Sequence, residues 1–142
     1  DSLGIQYRLA YAEPLRLREY TRARWVGPPA QLVQQRLIQK LGALPAGQGR
    51  TRCVLRMDLD EFNQVFDTPT MSRGVVEGRV QLLDRSRAVV VGYPFRIEKP
   101  APSADARGGV AALTVAVDQL AADLLVRQKT VGGGAKAAVC KP

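Results

Sequence analysis

The sequence predicts an α+β fold, a two-layer sandwich in which a mostly antiparallel sheet of four to five strands carries two helices on one face. Three observations lead there. Several stretches alternate apolar and polar residues with a period of two, as strands do when one face is buried and the other wet. Two other stretches repeat apolar residues at three- and four-residue steps, which marks helices with a single apolar stripe. Finally, 142 residues of which 46% are hydrophobic and 24% charged make an ordinary globular composition at single-domain size, enough for one core.

Taken in order, Ile5, Tyr7, Leu9 and Tyr11 alternate with Gln6, Arg8, Ala10 and Ala12 and give a first strand, ended by Glu13-Pro14. From Leu15 to Arg24 the chain is basic. Arg16, Arg18, Arg22 and Arg24 share parity with Tyr20, so a second strand here presents an arginine row on one side; an irregular segment fits the pattern equally. Trp25, the only tryptophan, precedes Val26-Gly27-Pro28-Pro29, a helix-start signal because proline is preorganised for the first turn. Val33, Leu37, Leu41 and Leu44, with Ile38 alongside, predict an amphipathic helix from Ala30 to Leu44, closed by Gly42 and Pro45.

The stretch from Arg52 to Leu83 carries the most information. Leu55, Met57 and Leu59 alternate with Arg56, Asp58 and Asp60, and the step slips at Glu61-Phe62, which predicts a bulge or bend. Asp67-Thr68-Pro69-Thr70-Met71-Ser72 supplies turn chemistry, after which Val76, Gly78, Val80 and Leu82 resume the alternation, so an antiparallel hairpin follows. A short polar connection from Asp84 to Arg87 leads into Val89, Val91, Tyr93, Phe95 and Ile97, a further strand whose Pro94, on the opposite parity, belongs at an edge or a bulge. Pro100 to Ser103 reads as an extended linker and Ser103 or Asp105 as a cap. Val110, Leu113, Val117, Leu120 and Leu124 then predict a helix over about residues 105 to 128. The domain therefore spans residues 1–128. Residues 129–142, with Gly132-Gly133-Gly134, read as a flexible tail unless Cys140 ties them down.

Chemistry is sparse. With no histidine in the chain, serine–histidine and cysteine–histidine triads are excluded, and Cys53 and Cys140 without ligand-type neighbours make a poor zinc site. Asp58, Asp60 and Glu61 invite a metal or acid/base reading, against which stands a solvated strand face opposed by Arg79 or Arg56. Gly132-Gly133-Gly134-Ala135-Lys136 lacks the strand, helix and hydroxyl residue of a phosphate loop. The expectation is a protein that is not an enzyme and has no cofactor and no metal. A net charge of +8 points to an anionic partner, whether nucleic acid, lipid headgroups or an acidic protein face. Arg16, Arg18, Tyr20, Arg22, Arg24 and Trp25 are the candidate partner-binding residues, with Trp25 equally readable as a plug at the mouth of the first helix. Phe62 and Phe66 read as core. No apolar run of about 20 residues and no secretory signal is evident in the sequence.

Glu61-Phe62-Asn63-Gln64-Val65-Phe66-Asp67-Thr68-Pro69, followed by Ser72-Arg73, resembles the central signature of the ABC-type transport auxiliary lipoproteins. Tyr7-Arg8-Leu9-Ala10-Tyr11, Arg24-Trp25 before Pro28-Pro29-Ala30, and the run from Pro100 to Val110 with Ala112-Leu113 fit the same family in the same order, over roughly residues 5 to 128. Glu61, Phe62, Gln64, Phe66 and Pro69 are the signature positions. The resemblance implies a non-catalytic auxiliary component of a mammalian-cell-entry (MCE) type lipid transport system in a Gram-negative envelope. It implies an outer-membrane anchor through a lipidated cysteine upstream of this sequence, a periplasmic location, docking onto the MCE component, and a homo-oligomer. It also implies an oxidising compartment, in which a Cys53–Cys140 disulfide would restrain the unfolded chain by about 4 kcal/mol in the loop-entropy model; one buried and one exposed thiol is the other reading. The alternative of another class is a small basic nucleic-acid-binding module, motivated by the charge and the arginine row. Against it, neither glycine-interleaved aromatics on strands nor a basic recognition helix is seen, so no nucleic acid is the expectation.

Overall fold

Among the described residues five strands and two helices follow one another as β1 (Gly4–Leu9), β2 (Glu13–Arg24), α1 (Pro29–Leu41), β3 (Val54–Thr68), β4 (Met71–Leu83), β5 (Val89–Pro100) and α2 (Ala106–Val131). This computed structural model describes residues 3–41, 54–84 and 86–131. The strands make one sheet in the order β2-β1-β3-β4-β5. The α+β sandwich is as expected, with one refinement to its sheet: β1 and β3 run parallel, Tyr7 lying opposite Gln64, while the other neighbours are antiparallel. Parallel neighbours need a long crossover, and the chain supplies it by sending β2 and α1 between them.

The central hairpin runs from Val54 opposite Leu83 to Thr68 opposite Met71. Its register shifts between Leu59 and Glu61, where the alternation slips. Gly78 stands across from this bulge, and a Cβ there would collide with the carbonyl of Asp58, so the close approach requires glycine. Side-chain oxygens shape the β3–β4 and β4–β5 turns. Thr68 Oγ1 accepts the N–H groups of Thr70 at 3.3 Å and Met71 at 3.0 Å. Asp84 Oδ1 accepts those of Ser86 at 2.8 Å and Ala88 at 2.9 Å, around Arg87 at a φ of 68°.

One core fills the space between sheet and helices. Val76, Val80 and Leu82 of β4 and Val91, Phe95 and Ile97 of β5 meet Leu113, Val117, Leu120 and Leu124 of α2 and Val33 and Leu37 of α1. Burying each such aliphatic side chain is worth about 1.5–3 kcal/mol. α2 rests on β3, β4 and β5, and α1 rests on β3 and α2, so both helices share one face and the β1–β2 ribbon extends the sheet beyond them.

The helices bear on three points of the sequence reading. α1 is described to Leu41, and residues 42–44 of the expected helix lie outside the described residues, as do Cys53 and Cys140 and so the expected disulfide. α2 continues to Val131, three residues into the expected tail, whose remainder also lies outside the described residues. And although no spanning run was read from the sequence, Ala106–Arg127 has the length and hydropathy of one. In the fold its stripe of Leu113, Leu120 and Leu124 is buried in the core, which accounts for that hydropathy.

Candidate docking surface

The signature residues spread over both faces of β3. Toward the helices, Gln64 sits on the apolar parity between Phe62 and Phe66, and its side chain is fully buried. A buried amide needs partners, and it has them: the Tyr20 hydroxyl donates to Gln64 Oε1 at 2.6 Å, and Gln64 Nε2 donates to Ser72 Oγ at 2.8 Å. Tyr7 lies with its ring 4.5 Å from that of Tyr20 and 5.9 Å from that of Phe66. α2 begins directly over this amide, so close that a Cβ at Gly109 would strike it. The helix start is fixed by Asp105, whose Oδ1 accepts the Ser103 hydroxyl at 2.6 Å and the Gly108 N–H at 2.8 Å; these bonds hold its carboxyl below the usual range. Burial first, then Tyr7 and Asp105, push the Tyr20 phenol up to about 12, so it remains a neutral donor. This satisfied network joins three pieces of the fold, and it brings no nucleophile and base together.

On the opposite face Glu61 accepts from Arg8 and, at 3.0 Å, from Arg96. Arg96 reaches Glu98 at 2.9 Å and Glu77 at 3.5 Å, and Arg73 pairs with Glu98 and, at 3.2 Å, with Asp67. Val65 and Val75, 2% and 0% exposed, share this face with the lattice of paired charges. Asp58 stands opposite Arg79, and no acidic or cysteine cluster among the described residues could hold a metal ion. Pro69 lies in the β3–β4 turn.

The six candidate partner-binding residues part company. β2 is an edge strand, with β1 its single neighbour. Arg16 is largely exposed at 66% of its side chain, Arg22 and Arg24 are exposed, and Arg18 is turned onto Glu13 at 2.9 Å. Arg16 and Arg18 together hold the Glu13 carboxyl below its ordinary range, Arg16 most. Tyr20, by contrast, points inward to Gln64. Trp25 is half-buried at the foot of α1, its ring 5.3 Å from that of Phe62 and packed on the core, and its backbone N–H donates to the Leu3 carbonyl at 2.8 Å. Beside the arginines the ribbon exposes Leu15 at 97%, Leu17 at 47% and Tyr11 at 48%. The sequence reads Leu15 and Leu17 as part of a basic segment and Tyr11 as inward-facing; their exposure follows from the register shift between Tyr7 and Leu9, which is set across strands and leaves no mark in the local pattern. Gln64 was singled out as a signature position, yet its structural role was signalled only by a polar residue at an apolar parity.

A family model described as ABC-type transport auxiliary lipoprotein component matches residues 6–124. Two solved structures share the fold. One is the crystal structure of protein XCC0632 from Xanthomonas campestris, described with family DUF330, at a TM-score of 0.77 and 21% identity over 94% of this chain and 78% of that one. The other, of an uncharacterized protein, gives a TM-score of 0.71 and 16% identity over 86% of this chain and 78% of that one. No curated protein matches the chain in sequence.

Proposed function

The chain belongs to the family of ABC-type transport auxiliary lipoprotein components, and from that premise we propose that it is a non-catalytic docking body of an MCE-type lipid transport system. Membership makes it an auxiliary of transport in the cell envelope. In the fuller reading it works in the periplasm, anchored to the outer membrane by a lipidated N-terminus, and receives the MCE component. The observation that carries this reading is the free edge of β2, where Arg16 and Arg22 stand beside the exposed Leu15 and Leu17. An edge strand with unpaired backbone groups and exposed apolar side chains is a template for pairing with another chain. The arginines select an acidic face and steer the encounter, so binding weakens as salt rises. The work of transport is supplied elsewhere, by the ATPase of the system, and this chain contributes position.

The experiment is site-specific photocrosslinking from position 15 in the full-length protein within native envelopes. The reading expects crosslinks to an MCE-type protein, lost when the probe is moved to a lattice position on the opposite face such as Glu77. Recovery of nucleic acid, or of no MCE-type protein, overturns it.

A further inference from the structure

At the other edge of the sheet, β5 also has a single neighbour, and a groove of about 430 Å³ runs beside it. Five consecutive strand residues, Tyr93 to Ile97, line one wall, and Gln119, Asp123, Val126 and Arg127 of α2 line the other. Successive side chains on a strand point to opposite faces, so a groove that touches five in a row follows the rim of the sheet rather than either face. Five residues of strand extend about 16 Å. A free strand rim with a helix as the facing wall is the geometry in which an extended peptide adds to a sheet and places alternate side chains against the helix.

Two groups in this groove have hydrogen-bonding capacity unused among the described residues. The Tyr93 hydroxyl is buried, in a residue only 7% exposed, and makes no hydrogen bond among the described residues. The guanidinium of Arg127 lies 3.7 Å above the Tyr93 ring and makes no ion pair among the described residues. A guanidinium over an aromatic face still has N–H groups to donate, because the ring takes up its charge and not its hydrogen bonds. A phenol and a guanidinium stacked over its ring match one carboxylate, which accepts from both, with Arg127 offsetting the charge of Asp123 on the same wall. An acyl chain fits less well: Phe95 and Ile97, at 8% and 7% exposed, are already committed to the core, which leaves Val126 as the exposed aliphatic side chain of the lining, too little to cover a chain of methylenes. Pro94 has no N–H to give, which restricts pairing to the residues flanking it and makes the rim a poor template for indiscriminate strand stacking.

We propose that the groove between β5 and α2 binds an extended peptide segment of a partner protein, paired along the rim of β5 with an acidic side chain on Tyr93 and Arg127. This site is independent of the β2 edge, and either can fail without the other.

The test pans a displayed library of random eight-residue peptides on the full chain, then titrates the best binder into isotope-labelled protein followed by NMR. The proposal expects enrichment of Asp or Glu, shifts confined to Tyr93 through Ile97 and the facing turns of α2, and affinity lowered by about tenfold in both Tyr93→Phe and Arg127→Gln. Methylating alternate backbone nitrogens of the peptide abolishes binding if the main chain pairs. Unchanged thermal midpoints in the two variants show that the fold is intact. The proposal is overturned if no peptide is enriched, if the shifts fall elsewhere, or if both variants bind as before. It is also overturned if dihexanoyl phosphatidylglycerol shifts these resonances while acidic peptides do not.

Discussion

Under α2, the β4–β5 end of the sheet presents Val76, Val80, Val91 and Ile97, closed over by Leu113 and Leu120; the β2 end presents Arg16, Arg22, Leu15 and Leu17 to solvent. The two ends belong to one sheet, and what differs is cover. Apolar side chains that face a helix contribute stability, while apolar side chains on an uncovered edge contribute nothing to it and are tolerated where something else binds them. Between the ends stands Gln64, the one fully buried polar side chain among the described residues, which ties the ribbon to the hairpin through Tyr20 and Ser72.

The contrast is broken most severely at the covered end. Leu120→Ala is expected to lower stability in urea unfolding by about 2–5 kcal/mol, whereas Leu15→Ala, a change of the same chemistry on the open edge, should stay within about 0.5 kcal/mol. Equal losses would erase the distinction. Next in size, Gln64→Leu leaves the Tyr20 and Ser72 hydroxyls unpaired and should cost about 1–3 kcal/mol. Hydrogen exchange would locate the damage: amides of β1 and β2 should lose protection while those of β4 and β5 keep theirs.

Smaller effects sharpen the picture with pH. Because the folded state holds the Tyr20 phenol near 12, above its ordinary value of about 10, it favours the neutral form. Its contribution is complete below pH 10 and falls away as pH rises from 10 toward 12. Urea midpoints at pH 9 and pH 11 should therefore diverge more in the native protein than in Tyr20→Phe. The least effect belongs to Arg36 and Asp118, which join α1 to α2 at 2.6 Å with side chains 41% and 37% exposed. Arg36 lowers the Asp118 carboxyl below its usual range, so whatever this pair adds is lost as pH falls through that lowered value. A double-mutant cycle at neutral pH should find about 1 kcal/mol or less.

Much of this was legible in the chain. The central hairpin, its bulge at Leu59–Glu61, the edge position of Pro94 and the stripe of α2 all follow from local periodicity and turn chemistry, which act between residues close in sequence. The parallel pairing of β1 with β3 was not, because its register is set by packing across a crossover. The division of the arginine row has the same cause. One parity was assigned to Arg16, Arg18, Tyr20, Arg22 and Arg24 alike, yet register shifts in β2 and the hydrogen bond to Gln64 turn Tyr20 inward, while Trp25 packs on Phe62 in keeping with its reading as a plug. The β5 groove exists only once α2 lies beside a strand from which it is separated in sequence by a linker, and no pattern within either element announces it.

The central claim is that the covered end keeps the protein folded and the open β2 edge engages its partner. Co-purification from native envelopes with the full-length Arg16→Glu/Arg22→Glu variant, alongside its thermal midpoint, tests both halves at once. The account predicts an unchanged midpoint and loss of the MCE-type protein from the eluate. An undiminished partner, with the variant equally folded, would contradict it.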